Sequence, residues 1–384
     1  MNTAPTTDDR HFHALRVATV QTEGEDALVL GFEVPGALAP LYCFQAGQYL
    51  TLRRPIEPGA PDDLRHAYSI CAGPGEPLRV GIRLLPGGVF SGWVHSQLRP
   101  GAVLDVMPPQ GRFGALLAEA QPALSASSAP QPARHVLAVA AGSGITPILA
   151  IVKAVLADAR GGRVTLVTVN RTPASSMFQD ELQDLKDRHL TRLTLHALHT
   201  REQGDADGAG ARLDSERLAQ LLRLGGGAAS ISAAFICGPA AFNDDIEAGL
   251  RTAGVAAARI QVERFGVPGV NAGPGAGAVT VQSPVPPLQT TASRITVLRD
   301  GRSRSFDFLP GDDNLLSAAS RAGLELPFSC RSGVCATCRA RVLQGEVTMA
   351  RNFALAPDEL AAGFVLACQA RPLGATLQLS FDER

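Results

Sequence analysis

Four of the seven cysteines stand at Cys330, Cys335, Cys338 and Cys368, giving C-x4-C-x2-C with 29 residues before the fourth. This is the ligand spacing of a plant-type [2Fe–2S] centre, in which a short loop supplies three thiolates and a distant strand closes the cage. A structural zinc usually takes two separated C-x2-C knuckles, and this run holds one. Gly333 allows a turn at positive φ, so that neighbouring amides point at the sulfurs. The stretch Met1–Arg16 is polar, without the apolar core of a signal peptide, and no run of 18 uncharged apolar residues occurs. We therefore expect a cytoplasmic protein with reduced thiols and no membrane association. Cys43 and Cys71 read as small buried hydrophobes. His196 and His199 are three apart in a strand and face opposite ways, so they form no metal pair.

The 384 residues allow two or three domains at ~150 residues each. With 35 Lys+Arg against 36 Asp+Glu, the chain lacks the basic excess of a nucleic-acid binder. Lys153 and Lys186 are its only lysines. Two compositional breaks divide it. Ala118–Ala133 is rich in Ala, Ser and Pro, and Gly266–Ser293 holds ten Gly or Pro in 28 residues. The expected divisions are 10–117, 134–265, a linker at 266–293, and 294–384.

The first segment reads as an antiparallel β-barrel. Its β-rich runs are His13–Glu23, Ala27–Val34, Gln48–Arg54, Leu64–Ala72, Leu78–Leu85 and Ala102–Met107, with one helix at Ser91–Leu98. The second alternates strand and helix and predicts an α/β doubly wound parallel sheet. Its strands are His135–Ala140, Val164–Val169, Arg192–His199, Ala233–Cys237 and Arg259–Phe265; its helices are Pro147–Ala159, Ser175–His189, Ser215–Leu224 and Ala241–Ala253. The third is α+β, with strands at Arg294–Arg299 and Arg304–Leu309 and a helix at Leu315–Ala322.

Between the first strand and helix of the α/β unit lies Gly142-Ser143-Gly144-Ile145-Thr146-Pro147. Glycines let the backbone approach a phosphate, and the helix N-terminus favours the anion. Thr146 is placed to cap that helix, and Pro147 suits its first position. The second strand ends in Asn170-Arg171-Thr172, with no carboxylate for a ribose hydroxyl. Arg171 suits a 2′-phosphate, which favours NADPH over NADH. In the barrel, Gly87-Gly88-Val89-Phe90-Ser91 opens a helix and offers a second phosphate cradle.

In order, these features resemble the ferredoxin–NADP reductase superfamily: Tyr68-Ser69 in the barrel, Gly142–Pro147, Cys237-Gly238-Pro239, and Glu263-Arg264-Phe265. With the ferredoxin segment behind them, the chain resembles oxygenase reductase components. The tail, with Pro357–Leu360 and Ala367–Ala370, is most similar to the reductase subunits of phenylacetyl-CoA epoxidases. The resemblance implies FAD on the barrel, a β-grasp fold for the tail, and an oxygenase partner, there a multi-subunit di-iron protein. It places Tyr68 against the flavin ring, Ser69 near its N5, and Gly88 and Ser91 on its pyrophosphate. Gly142, Gly144 and Thr146 take the dinucleotide, Cys237 with Gly238 and Pro239 lies at the hydride-transfer locus, and Glu263 and Phe265 lie beside the flavin. Ser69, Cys237 and Glu263 are thus the candidate catalytic residues. One departure stands out: the family's arginine two residues before the tyrosine is His66 here, preceded by Arg65. Either His66 donates the hydrogen bond or Arg65 compensates, which leaves FAD against FMN open. Arg331, Arg339 and Arg341 flank the cysteine loop and are expected to dock an acidic partner. The other readings are a reductase for a Rieske ring-hydroxylating or steroid hydroxylase system, and a non-enzymatic redox-sensing carrier.

Overall fold

The computed structural model describes residues 11–55, 64–119, 134–201, 213–265 and 292–383. Most of the expected linker (266–291) and of the Ala/Ser/Pro-rich break (120–133) lies outside the described residues. The chain forms two compact units, one spanning Phe12–Phe265 and one holding the C-terminal segment.

The first unit opens with β1 (His13–Glu23), β2 (Ala27–Glu33), β3 (Tyr49–Arg53), β4 (Arg65–Ser69), β5 (Arg79–Arg83), helix α1 (Val89–Gln97) and β6 (Val103–Val106). Alternate residues such as Leu15, Val17, Leu50, Leu52 and Leu104 are fully buried, as the period of two in a half-buried strand requires. The strands pair antiparallel in the order β4-β3-β6-β1-β2-β5. A bridge from Ile70 to Val80 joins the two ends of that order, which closes the barrel. A short helix, α2 (Ala115–Glu119), leaves it.

The sheet that follows comprises β7 (His135–Ala141), α3 (Ile145–Ala157), β8 (Arg163–Asn170), α4 (Gln179–Arg188), β9 (Leu193–His199), α5 (Ser215–Leu224), β10 (Ala233–Cys237), α6 (Ala240–Thr252) and β11 (Ile260–Glu263). All its strands are parallel, in the order β11-β10-β7-β8-β9. Every residue of β7 is buried, as expected of a strand covered on both faces. One face packs α3 and α4, together with Val29, Cys71 and Phe113 of the barrel region. The other packs α5 and α6 through Leu218, Leu222, Ile246 and Leu250. The fold is therefore doubly wound. Helix α4 starts four residues later than expected. Ser175 and Thr172 bond each other's backbone amides in a local turn, and Phe178 is left-handed at φ 61°, so helix cannot propagate through 175–178.

The second unit carries β12 (Ser293–Arg299), β13 (Arg302–Phe308), α7 (Leu315–Arg321), β14 (Arg339–Gln344), β15 (Val347–Met349), α8 (Pro357–Ala361), β16 (Phe364–Leu366), β17 (Ala370–Pro372) and β18 (Thr376–Ser380). Its main sheet runs β13-β12-β18-β14-β16, with β12 and β18 parallel and the other pairs antiparallel. Asn314 caps α7 by accepting from the Ser317 amide at 2.9 Å. Ser293, expected to end the linker, belongs to β12 instead. It pairs with Phe308, and its buried hydroxyl donates to the Gly374 carbonyl at 2.8 Å.

Candidate cofactor sites

The cysteine loop runs between α7 and β14. Left-handed Arg331 (φ 53°), Gly333 (φ 82°) and Ala336 (φ 54°) curl its backbone inward. Cys335, Cys338 and Cys368 are buried and Cys330 half-buried. Amides aim at sulfur: Ser332 N–H donates to Cys330 Sγ at 3.4 Å, and Cys330 N–H to Cys335 Sγ at 3.5 Å. Among the described residues no three ligand side chains converge on one ion position. N–H groups aimed at sulfur suit the thiolates of an iron–sulfur cluster. Hydrogen bonding, first from Cys335 and then from Ser332, draws the Cys330 thiol down to about 5.

The dinucleotide crevice lies where the strand order reverses, between the C-terminal ends of β7 and β10. Gly144 meets the end of β10 so closely that a Cβ there would stand 2.0 Å from the Cys237 carbonyl oxygen. Gly142 has φ 57° and faces Arg83 Nη1. Helix α3 begins at Ile145 with Gly144 as its cap, so Thr146 is not the capping residue expected. Thr146 is 2% exposed; its hydroxyl donates to the Ser143 carbonyl at 3.0 Å, and its methyl abuts Gly81 of β5. It shapes the turn and offers little surface to a ligand. Gly238 is wedged against Phe242 and Ala141, and Pro239 precedes α6.

Cys237 and Glu263 are paired across β10 and β11. Burial pushes the Cys237 thiol up, and Glu263 adds to the effect. Burial also pushes the Glu263 carboxyl up to about 8, because Oε2 is enclosed without a hydrogen-bond partner, although part of the residue reaches the surface. At neutral pH both groups are uncharged. The fully buried Asn243 donates to the Glu263 carbonyl at 3.0 Å and holds the end of β11. Phe265 is exposed. Arg171 is exposed at the end of β8, and its carbonyl accepts from the amide of Arg201 at the end of β9.

In the barrel, strand alternation decides between the two candidates preceding Tyr68. His66 and Tyr68 share a face, with ring centroids 5.0 Å apart, and Phe90 of α1 packs on both. Arg65 lies on the opposite face with Ser69. It is 7% exposed and stacks toward Phe12, so it does not take the position two before the tyrosine. Burial pushes the Tyr68 phenol up. Gly88 caps α1, and Gly87 has φ 74° with open space around it. Ser91 is 4% exposed; its hydroxyl donates to the Gly88 carbonyl and accepts from the Leu85 amide. An anion at this end would meet the first-turn amides of α1 rather than that hydroxyl.

Several residues here escaped the sequence reading. Arg83 pairs with Asp26 at 2.9 Å and donates to the Ser175 carbonyl beside the dinucleotide turn. Lys153 of α3 is buried and bonds Glu76 at 2.6 Å and Glu181. Arg79 also bonds both carboxylates, so four charges pin α3 to the barrel. The scarcity of lysine was the available signal for Lys153. Of the arginines expected to dock a partner, Arg339 is instead bonded to buried Glu359 and stacked on Phe364. Arg341 pairs with Glu383 at 2.9 Å, and Arg331 lies exposed over Phe328.

Residues 138–248 match the family described as oxidoreductase NAD-binding domain, and residues 297–373 match 2Fe-2S iron-sulfur cluster binding domain. The chain is 41% identical to a subunit of the 1,2-phenylacetyl-CoA epoxidase of Escherichia coli, over 97% of this chain and 98% of that one. The chain belongs to the ferredoxin–NADP reductase superfamily. It is further 30% identical to the ferredoxin reductase component of 3-ketosteroid-9-alpha-monooxygenase from Rhodococcus rhodochrous, over 96% of both chains. Phthalate dioxygenase reductase shares the fold, with a TM-score of 0.57 at 22% identity, over 96% of this chain and 98% of that one. Like other superfamily members with a fused ferredoxin domain, this one is an NAD(P)H-dependent oxidoreductase that uses FAD and a [2Fe–2S] cluster. Among the described residues no helix is long and apolar enough to cross a membrane.

Proposed function

We propose that the chain is the reductase component of a di-iron phenylacetyl-CoA 1,2-epoxidase of aerobic phenylacetate degradation, acting in the cytoplasm. The observation that carries this reading is the 41% identity to the Escherichia coli epoxidase chain over nearly the full length of both proteins, against 30% to 33% for the ketosteroid relatives. A flavin held by Tyr68 and the α1 amides would supply the conversion of a two-electron hydride donor to the single electrons that a [2Fe–2S] cluster requires.

The chain's own residues prepare that transfer. Tyr68, with His66 and Phe90 packed on it, would form an aromatic floor for the flavin ring, and Ser69, buried on the other face of β4, would approach its N5 edge only from the end of that strand. Gly88 and the α1 amides receive the pyrophosphate, and Gly142 and Gly144 receive the dinucleotide. Cys237 and Glu263, paired at the ends of β10 and β11, are neutral, so neither would set a negative charge beside a flavin that gains an electron pair. Arg171 meets the 2′-phosphate, which favours NADPH. The modules are a flavin barrel within 10–117, a nucleotide domain at 134–265 and a ferredoxin domain from Ser293, with the intervening chain as tether. Arg331 is the loop arginine left to meet an acidic oxygenase surface.

Purified protein is expected to support NADPH-dependent epoxidation when mixed with the oxygenase subunits of a phenylacetyl-CoA epoxidase. Coupling only to a Rieske oxygenase would assign it to the ring-hydroxylating or steroid systems. Failure to reduce any acceptor with NAD(P)H would leave the carrier reading.

A further inference from the structure

Gln369 follows the last cysteine directly, and its side-chain amide lies among three acceptors. Nε2 is 2.9 Å from the Arg331 carbonyl, 2.9 Å from the Cys368 carbonyl and 3.5 Å from Cys368 Sγ. Two carbonyls at 2.9 Å fix which end of the amide is nitrogen, because an oxygen could not sit against both. With two N–H groups for three acceptors, one goes to the Arg331 carbonyl and the other is shared between the Cys368 carbonyl and Sγ, so the amide ties the loop to the returning chain that supplies the last ligand. Gly333 makes room for this. A Cβ at that position would come within 3.1 Å of Gln369 Cγ, so the glutamine stem lies flat on the loop where any larger residue would lift it.

We propose that Gln369 is a positioning residue that raises the reduction potential of the [2Fe–2S] cluster by donating an N–H to the Cys368 thiolate and clamping that ligand to the loop. The inference rests on the cluster assignment and not on the identity of the oxygenase. Reduction adds one electron, and the charge on the thiolates rises. An N–H donor at sulfur stabilises the more negative state, so its loss makes the cluster harder to reduce. Half-burial of Gln369 beside a buried ligand keeps competing water from replacing the bond fully.

The test is a redox titration of the full-length holoprotein, followed by the visible spectrum and by the EPR signal of the reduced cluster. Gln369→Met keeps the stem and removes the donor; it is expected to move the midpoint to a more negative value. Gln369→Glu adds a charge where the donor was and is expected to move it further. Iron and sulfide content and the rate of flavin reduction by NADPH should stay at the wild-type level in both. A Gln369→Met protein that holds its cluster at an unchanged midpoint overturns the proposal. Should the variants fail to assemble a cluster, wild-type protein labelled with 15N in glutamine side chains decides. A nitrogen hyperfine coupling to the reduced cluster from that label is expected, and its absence overturns the bond. Low iron content in the wild type would instead count against the cluster assignment itself.

Discussion

Single residues set the chemistry of the crevice by what they exclude. Gly144 leaves no room for a Cβ beside the Cys237 carbonyl. Gly144→Ala is expected to push the turn off β10, costing at least about 3 kcal/mol by overpacking, and to abolish NADPH-dependent flavin reduction; stopped-flow absorbance and urea unfolding check both. Glu263 has a pKa raised to about 8 by burial, so it is protonated at pH 7 and becomes an anion only above that. The rate of flavin reduction by NADPH should therefore fall as pH rises through about 8, and Glu263→Gln should flatten that limb. At the other end of β7, His135 is 3% exposed between Ser230 and Thr165, and burial pushes it down to about 4. The unfolded chain takes up this proton near the usual 6.5 and the folded chain only near 4. Stability is then fully present above about 6.5 and is lost as pH falls through this window, by about 2–3 kcal/mol at about pH 4.5. Denaturant melts at about pH 7 and about pH 4.5 should show the loss in the wild type and not in His135→Asn.

Periodicity made the elements legible, but not the places where local chemistry overrides it. Strand β1 falls at its expected bounds because apolar residues alternate through it, and β10 because its run is wholly apolar. Helix α4 begins late because the Thr172–Ser175 turn and left-handed Phe178 are invisible to an apolar count. In β4 the alternation was in the sequence all along: two residues before Tyr68 is His66, and counting by twos already removed Arg65 from that face. The cysteine spacing needed no fold at all, whereas Gln369 and Lys153 needed one, since their partners lie 38 and 77 residues away. Lys153 links α3 to the barrel through two carboxylates, and Gly73 leaves space for its stem. Lys153→Met should leave both acids to Arg79 alone and cost about 2–3 kcal/mol after allowing for the partly exposed Glu76. It should also slow flavin reduction by NADPH and leave the cluster spectrum unchanged.

At the scale of the whole molecule, the unit Phe12–Phe265 carries both candidate sites for the two-electron steps, and the C-terminal unit carries the cysteine cage. A chain ending at Phe265 is expected to keep NADPH-driven reduction of ferricyanide and to lose electron delivery to the oxygenase. The parallel pairing of β12 with β18 has a further consequence for how the protein is made. The strand that opens the C-terminal unit gains its central neighbour only after β18 has been synthesised. During translation the barrel and the nucleotide sheet can complete themselves on the ribosome, while the C-terminal unit must wait for β18 to emerge. Iron and sulfide then enter a protein whose other half is already folded. A shortage of either would leave a pool able to oxidise NADPH and unable to pass the electrons on.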